Sequence, residues 1–155
     1  MNIFVEQETD MQIFRADNHE AELVGWGVRV LMVSDPRATG TESVMRRVSG
    51  FGGLVDHQDE LYAGLGAMLD DPTGYGLFVM LCDELGGLEV GQKAHALLRG
   101  SNCTAPIILI SNEVSEQSFP EDRSAPILLR SPLSAVSMRV GFEHALRERL
   151  IRQAA

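Results

Sequence analysis

Aromatic side chains are scarce in this chain: one Trp, two Tyr and six Phe, 6% of 155 residues. Its core must therefore be built from Leu, Val, Ile, Met and Ala. Positive charge is also short, with 13 Lys and Arg against 22 Asp and Glu, for a net charge of −9. A surface of that sign repels phosphate backbones and excludes autonomous nucleic-acid binding through a broad basic footprint; only a short basic helix escapes that argument. No apolar run approaches the roughly 20 residues that cross a bilayer, so no membrane association is expected. The opening MNIFVEQETD has neither the basic start nor the apolar stretch of a secretory signal. The two cysteines, Cys82 and Cys103, form no C-x-x-C pair. They read as reduced, buried thiols of a cytoplasmic protein, with a disulfide between them as the alternative. His19, His57, His95 and His144 share no zinc-ligand spacing with either cysteine, and His57 and His95 read as surface residues.

What is present is an alternation. Val28–Val33, Leu54–Val55, Leu77–Cys82, Pro106–Ile110 and Ile127–Leu129 are short β-branched or apolar runs. The third and fourth are apolar throughout, as strands covered on both faces are. Between them lie helical patterns over 37–49, 59–69 (Leu61, Leu65, Met68 and Leu69 on one face) and 88–99 (around Leu88, Ala94, Leu97 and Leu98). A last helix opens at Ser131-Pro132, with Ala135, Met138, Phe142, Ala145 and Leu146 on its inner face. Residues 112–126 hold only Val114 and Phe119 as large apolar residues, and read as a short or partly melted helix. Strands alternating with helices through short loops predict an α/β, doubly wound, five-stranded parallel sheet with helices on both faces.

The division expected is an acidic N-terminal arm or small hairpin over 1–27 and one domain over 28–155. In the arm Glu6, Glu8, Asp10, Asp17, Glu20 and Glu22 face one cation, Arg15, and Met1-Asn-Ile-Phe nearly repeats as Met11-Gln-Ile-Phe. The arm reads either as a disordered acidic segment or as a hairpin or strand added to a sheet edge. Trp26, beside Gly25 and Gly27, reads as an anchor of the arm in the core, or else as part of a dimer interface.

In such a sheet, sites form beyond the carboxyl ends of the strands. That rule selects Ser34 and Asp35, then Cys82, Asp83 and Glu84, then Ser111 and Asn112, then Arg130 and Ser131. With the first and third strands adjacent, Asp35 and Asp83 converge, and a hard cation such as Mg²⁺ relieves their repulsion. Otherwise each acid merely caps the turn that follows it.

Five phrases carry a resemblance: Val-Leu-Met-Val-Ser-Asp-Pro (30–36), Val-Met-Leu-Cys-Asp (79–83), Gly-Leu-Glu-Val (87–90), Pro-Ile-Ile-Leu-Ile-Ser (106–111) and Leu-Leu-Arg-Ser-Pro-Leu (128–133). Their order and spacing resemble the receiver domain of bacterial two-component response regulators over about residues 28–150. The resemblance implies a flavodoxin-like fold with strand order 2-1-3-4-5. It also implies a phosphorelay chemistry in which a carboxylate after the third strand takes a phosphoryl group from a phosphohistidine, Mg²⁺ offsets the charge, and a hydroxyl and a lysine hold the phosphoryl oxygens. Asp83 falls at the phosphoacceptor place, with Asp35 and Asp83 as metal acids and Ser111 at the hydroxyl place. Ser34 stands where the other acid would be, Ser131 stands where the lysine would be, and Arg130 precedes it by one residue. The loop after Asp83 is about three residues short. The resemblance therefore implies an atypical receiver, or pseudo-receiver, with weak Mg²⁺ binding and phosphorylation at Asp83 weak or absent.

As the sequence ends just after the last helix, the expectation is a stand-alone, non-enzymatic module. It would act on a protein partner (a histidine kinase, a phosphotransferase or a downstream regulator), and a homodimer is compatible with it. The alternative is a small-molecule or nucleotide-binding domain or enzyme of the same topology. No G-x-G-x-x-G, G-x-x-x-x-G-K-[ST] or G-x-S-x-G occurs to favour it. Gly64 and Gly66, inside the second helical pattern, read as close helix–sheet packing. A third reading is an oligomer subunit whose arm swaps between chains.

Overall fold

A computed structural model describes residues 24–149. Its strands are β1 (Arg29–Val33), β2 (Leu54–Gln58), β3 (Leu77–Leu81), β4 (Ile107–Ser111) and β5 (Ile127–Arg130). Its helices are α1 (Thr41–Gly50), α2 (Leu61–Asp70), α3 (Leu88–Gly100) and α4 (Ala135–Ala145). All strand pairs are parallel, in the order β2-β1-β3-β4-β5. This is the doubly wound topology expected.

The period-two alternation of each strand sorts its side chains onto two faces. Val30, Met32, Leu77, Val79, Ile108, Ile110 and Leu129 meet Val44 and Val48 of α1 and Met138 and Phe142 of α4. Leu31, Val33, Phe78, Met80, Ile107 and Leu109 meet Leu65 and Met68 of α2 and Ala94 and Leu98 of α3. Both layers are buried, which is why β3 and β4 carry apolar residues almost throughout.

Four local expectations are corrected. The last helix opens at Ser134, whose side chain accepts from the Ser137 N–H at 3.0 Å, and Ser131–Pro132 is a cis-peptide turn before it. Ala135 is exposed, so the inner face of α4 begins at Met138. Leu69 and Leu97 also stand in solvent. Residues 112–126 form no helix. With Val114 and Phe119 alone they have no apolar face to bury, so the backbone bonds elsewhere: Ser118 and Leu128 exchange both N–H···O bonds as an antiparallel bridge (2.9 and 3.0 Å). Arg99 holds the far end of this segment by donating to the Ser124 carbonyl at 3.0 Å, and it also donates to those of Cys103 and Ala105.

The fourth correction concerns Trp26, which is 74% exposed. Its neighbours make the anchor. Val24 is buried, and Gly25 sits where an added Cβ would lie 2.4 Å from the Phe142 ring and 2.6 Å from the Phe51 carbonyl. The arm itself, expected as disordered or as a hairpin, lies outside the described residues.

Both cysteines are free and buried. Burial pushes the Cys82 thiol up to about 12, and only the thiolate is reactive. Native protein is therefore expected to resist a disulfide reagent at pH 8 and to titrate both thiols once unfolded. Rapid labelling of Cys82 in the native state would contradict this packing.

Candidate functional site

β3 hands the chain to a single 3₁₀ turn, Asp83–Leu85. The N–H groups of Leu85 and Gly87 both bond back to the Cys82 carbonyl. Gly86 and Gly87 then take φ values of +115° and +93°, which L side chains rarely adopt. A Cβ on Gly87 would also meet the Glu113 carboxylate at 2.4 Å. That carboxylate accepts from the N–H of Leu88 (3.3 Å) at the start of α3, where the helix dipole favours negative charge.

Pairing of β3 with β4 brings Asp83 against the end of β4. The buried Ser111 hydroxyl donates to Asp83 Oδ1 at 2.6 Å, and the Asn112 N–H donates to both carboxylate oxygens at 3.2 and 3.0 Å. Ser111 Oγ in turn accepts from the Glu113 N–H at 3.0 Å. Charge-assisted bonds of this kind are about twice as strong as neutral ones. The Asp83–Ser111 pair selected from the strand ends is thus one hydrogen-bonded unit.

The end of β1 is built differently. β1 and β3 are neighbours, in register from Val30 opposite Leu77 to Val33 opposite Met80. Asp35, however, is occupied locally. Its carboxylate accepts from the Arg37 N–H (2.9 Å) and from the guanidinium (3.3 and 3.2 Å). The Arg37 guanidinium, and then its N–H, hold the Asp35 carboxyl below the usual carboxylate range.

Ser34 is fully buried. Its hydroxyl accepts from Thr41 Oγ1 at 3.1 Å and lies 2.9 Å from His57 Nε2, which is also 3.0 Å from the Ser34 carbonyl. A carbonyl only accepts, so a hydrogen on Nε2 satisfies this geometry. His57 is therefore a part-buried partner of Ser34, a correction to its reading as a surface residue. His95 likewise holds the Ser124 carbonyl at 2.6 Å.

Arg130 lies opposite Ser111 in the β4–β5 register. Its N–H donates to Gln117 Oε1 at 3.0 Å, and its side chain stands exposed. Among the described residues no ion pair joins it to Asp83. Ser131 is tied through its own N–H to the Ser111 carbonyl at 3.1 Å. The structure thus brings Asp83, Ser111 and the backbone of Ser131 together, and engages Asp35 with Arg37.

The fit to a divalent cation is poor. Among the described residues no three His, Cys, Asp or Glu side chains are grouped so as to hold a metal. Of the two acids expected to share one, Asp35 carries its own cation and Asp83 its own donors. Asn112, Glu113, Thr41 and His57 complete the arrangement; of these the strand-end rule selected Asn112 alone, and not for its backbone N–H. Asn112 acts through its backbone, which carries no sequence signal, and Glu113 differs in no obvious way from the other loop acids. No described helix is long and apolar enough to cross a membrane.

No family model and no curated protein matches this chain. Solved structures do match. A response regulator receiver domain protein from Clostridium thermocellum aligns with a TM-score of 0.63 at 12% identity, over 81% of this chain and 98% of that one. The receiver domain of a Luxo repressor protein from Vibrio parahaemolyticus gives 0.63 at 12%, over 83% and 96%. The receiver domain of a modulated diguanylate cyclase from Desulfovibrio desulfuricans G20, described as an example of alternate folding, gives 0.54 at 22%, over 81% and 98%. The five-stranded sheet of this chain, with its order β2-β1-β3-β4-β5 and its acid after β3, has the fold of response regulator receiver domains.

Proposed function

We propose that this chain is a receiver-like signalling module that acts by protein–protein contact and in which phosphoryl transfer to Asp83 is weak or absent. One observation carries the reading: both Asp83 oxygens are engaged by Ser111 and Asn112 while neither an acid nor a cation from β1 or β5 is bonded beside them. Phosphoryl transfer to a carboxylate needs a cation beside it to offset the charge on the transferring group. Here Asp35 is neutralised by Arg37, and the Arg130 side chain makes no ion pair with Asp83.

Each missing charge contact is worth about 1.5–3 kcal/mol, so two such losses reduce the competence of the site by about 10²-fold or more. Ser111 and Asn112 instead join the ends of β3 and β4 through a carboxylate. The partner class is a histidine kinase, a phosphotransferase or a downstream regulator, and the chain itself is not an enzyme.

The test is incubation with acetyl phosphate and Mg²⁺ followed by intact mass. The expected result is at most a minor phosphate adduct, with no Mg²⁺-dependent rise in melting temperature at millimolar metal. A stoichiometric adduct that Asp83→Asn removes would show a working phosphoacceptor and overturn the proposal.

A further inference from the structure

Between α1 and α4 runs a groove of about 520 Å³ whose walls include Ser43, Arg46, Arg47, Phe51, Val136 and Arg139. Its floor is apolar and its rim basic. Arg46 is largely exposed and, among the described residues, pairs with Glu42 at 4.0 Å; Arg47 donates to Ser43 Oγ at 3.3 Å. Val136 and Val140 stand 57% and 37% exposed on α4. A chain with net charge −9 has concentrated three arginines around one apolar cleft.

We infer that this groove is the docking site of the chain's own N-terminal segment, residues 1–23. Three independent features support that occupant. The first is charge: Glu6, Glu8, Asp10, Asp17, Glu20 and Glu22 against the single Arg15 give the segment the opposite sign to the rim. The second is apolar content, because the acids flank two Ile-Phe pairs, Ile3-Phe4 and Ile13-Phe14, which suit the Phe51 and Val136 walls.

The third is the place where the segment joins the domain. Arg149 Nε donates to the Val24 carbonyl at 2.7 Å, and Gly25 is wedged against the Phe142 ring and the Phe51 carbonyl. Phe51 is itself a wall of the groove. The tether therefore begins beside the cleft, and covalent attachment through a short tether raises the local concentration to about millimolar. The ten residues of α1 span about 15 Å, which five or so extended residues already cover. A docked segment covers the α1–α4 face, so any protein that uses that face has to displace it.

The full chain tests this directly. Because Cys82 and Cys103 are buried, a nitroxide placed at Thr9→Cys labels one position, and paramagnetic broadening of amide resonances reports what that position approaches. The expected result is loss of amide intensity on α1 and α4, with recovery in about 0.5 M NaCl, where the Debye length is only about 4 Å. The same recovery is expected in Arg46→Glu/Arg47→Glu, whose remaining amide spectrum verifies its fold.

A sample mixing labelled, isotopically silent chain with unlabelled ¹⁵N chain separates the sources. Broadening there equal to that in the singly labelled chain assigns the groove to the segment of a second copy and overturns the proposal. Broadening centred on β2, broadening indifferent to both salt and the arginine variant, or no broadening at all overturns it equally.

Discussion

Phe142→Ala is expected to lower the free energy of unfolding by about 3–5 kcal/mol, read as a lower urea midpoint at an unchanged slope. Phe142 is fully buried on α4. Its ring lies 4.9 Å from that of Phe51 at the end of α1, and its edge abuts Gly25. One side chain thus ties the last helix, the first helix and the entering N-terminal segment to the same layer. Deleting it removes the apolar transfer term and leaves a cavity among elements that cannot all close upon it. Phe142→Leu keeps most of the volume and is expected to cost less than about 1.5 kcal/mol. Equal losses for both variants would mean that the ring's volume is not what matters.

The second large effect is a contrast between two glycines in α2. A Cβ on Gly64 would lie 2.4 Å from Val33 Cγ2, and Val33 is fully buried in β1, so neither neighbour has room to yield. Gly64→Ala is expected to destabilise by about 1–3 kcal/mol through overpacking. A Cβ on Gly66 meets nothing within 4 Å. Gly66→Ala is expected to stabilise by about 0.5–1 kcal/mol, because alanine loses less backbone entropy in a helix interior. Thermal melts of the two variants should move in opposite directions. The helical spacing alone made these positions look alike, and only the side of α2 that faces β1 separates them.

That contrast marks where sequence reasoning holds and where it ends. β3 and β4 were legible because burial on both faces demands apolar runs, whereas the edge strand β2, with no buried residue, showed only Leu54-Val55; strand order followed from the resemblance to receiver domains. The Asp83–Ser111 pair was legible from the strand-end rule. Ser34 was recognised as a departure from the receiver pattern, but not that Thr41 and His57 would bury it: a lone histidine on an edge strand carries no signal of its partner. The pairing of Asp35 with Arg37 is a local competition, an acid bonded two residues along its own chain. It follows Pro36 closely enough that a strand-end reading passes over it.

The start of α4 misled because Ser131-Pro132 and Ser134 both offer capping chemistry, and only the path of the chain decides which is used. Residues 112–126 were recognised as poor in apolar anchors, but such a deficit does not say what replaces a helix. The reading of Trp26 as a core anchor is the plainest miss. Its size argued for the interior, yet the small Gly25 and the shorter Val24 fit against Phe142 where an indole would not.

The Ser118–Leu128 bridge has a consequence for self-association. It occupies the outer flank of β5, so at this end of the sheet the backbone N–H and C=O of Leu128 are already spent. The opposite margin, β2, has no such cover from a described strand. Strand-to-strand growth between molecules needs two complementary margins to run on indefinitely, whereas a molecule with one usable margin can meet only its own twin across a two-fold axis. Head-to-tail polymerisation through the sheet is thereby blocked, and any assembly by that route stops at a pair.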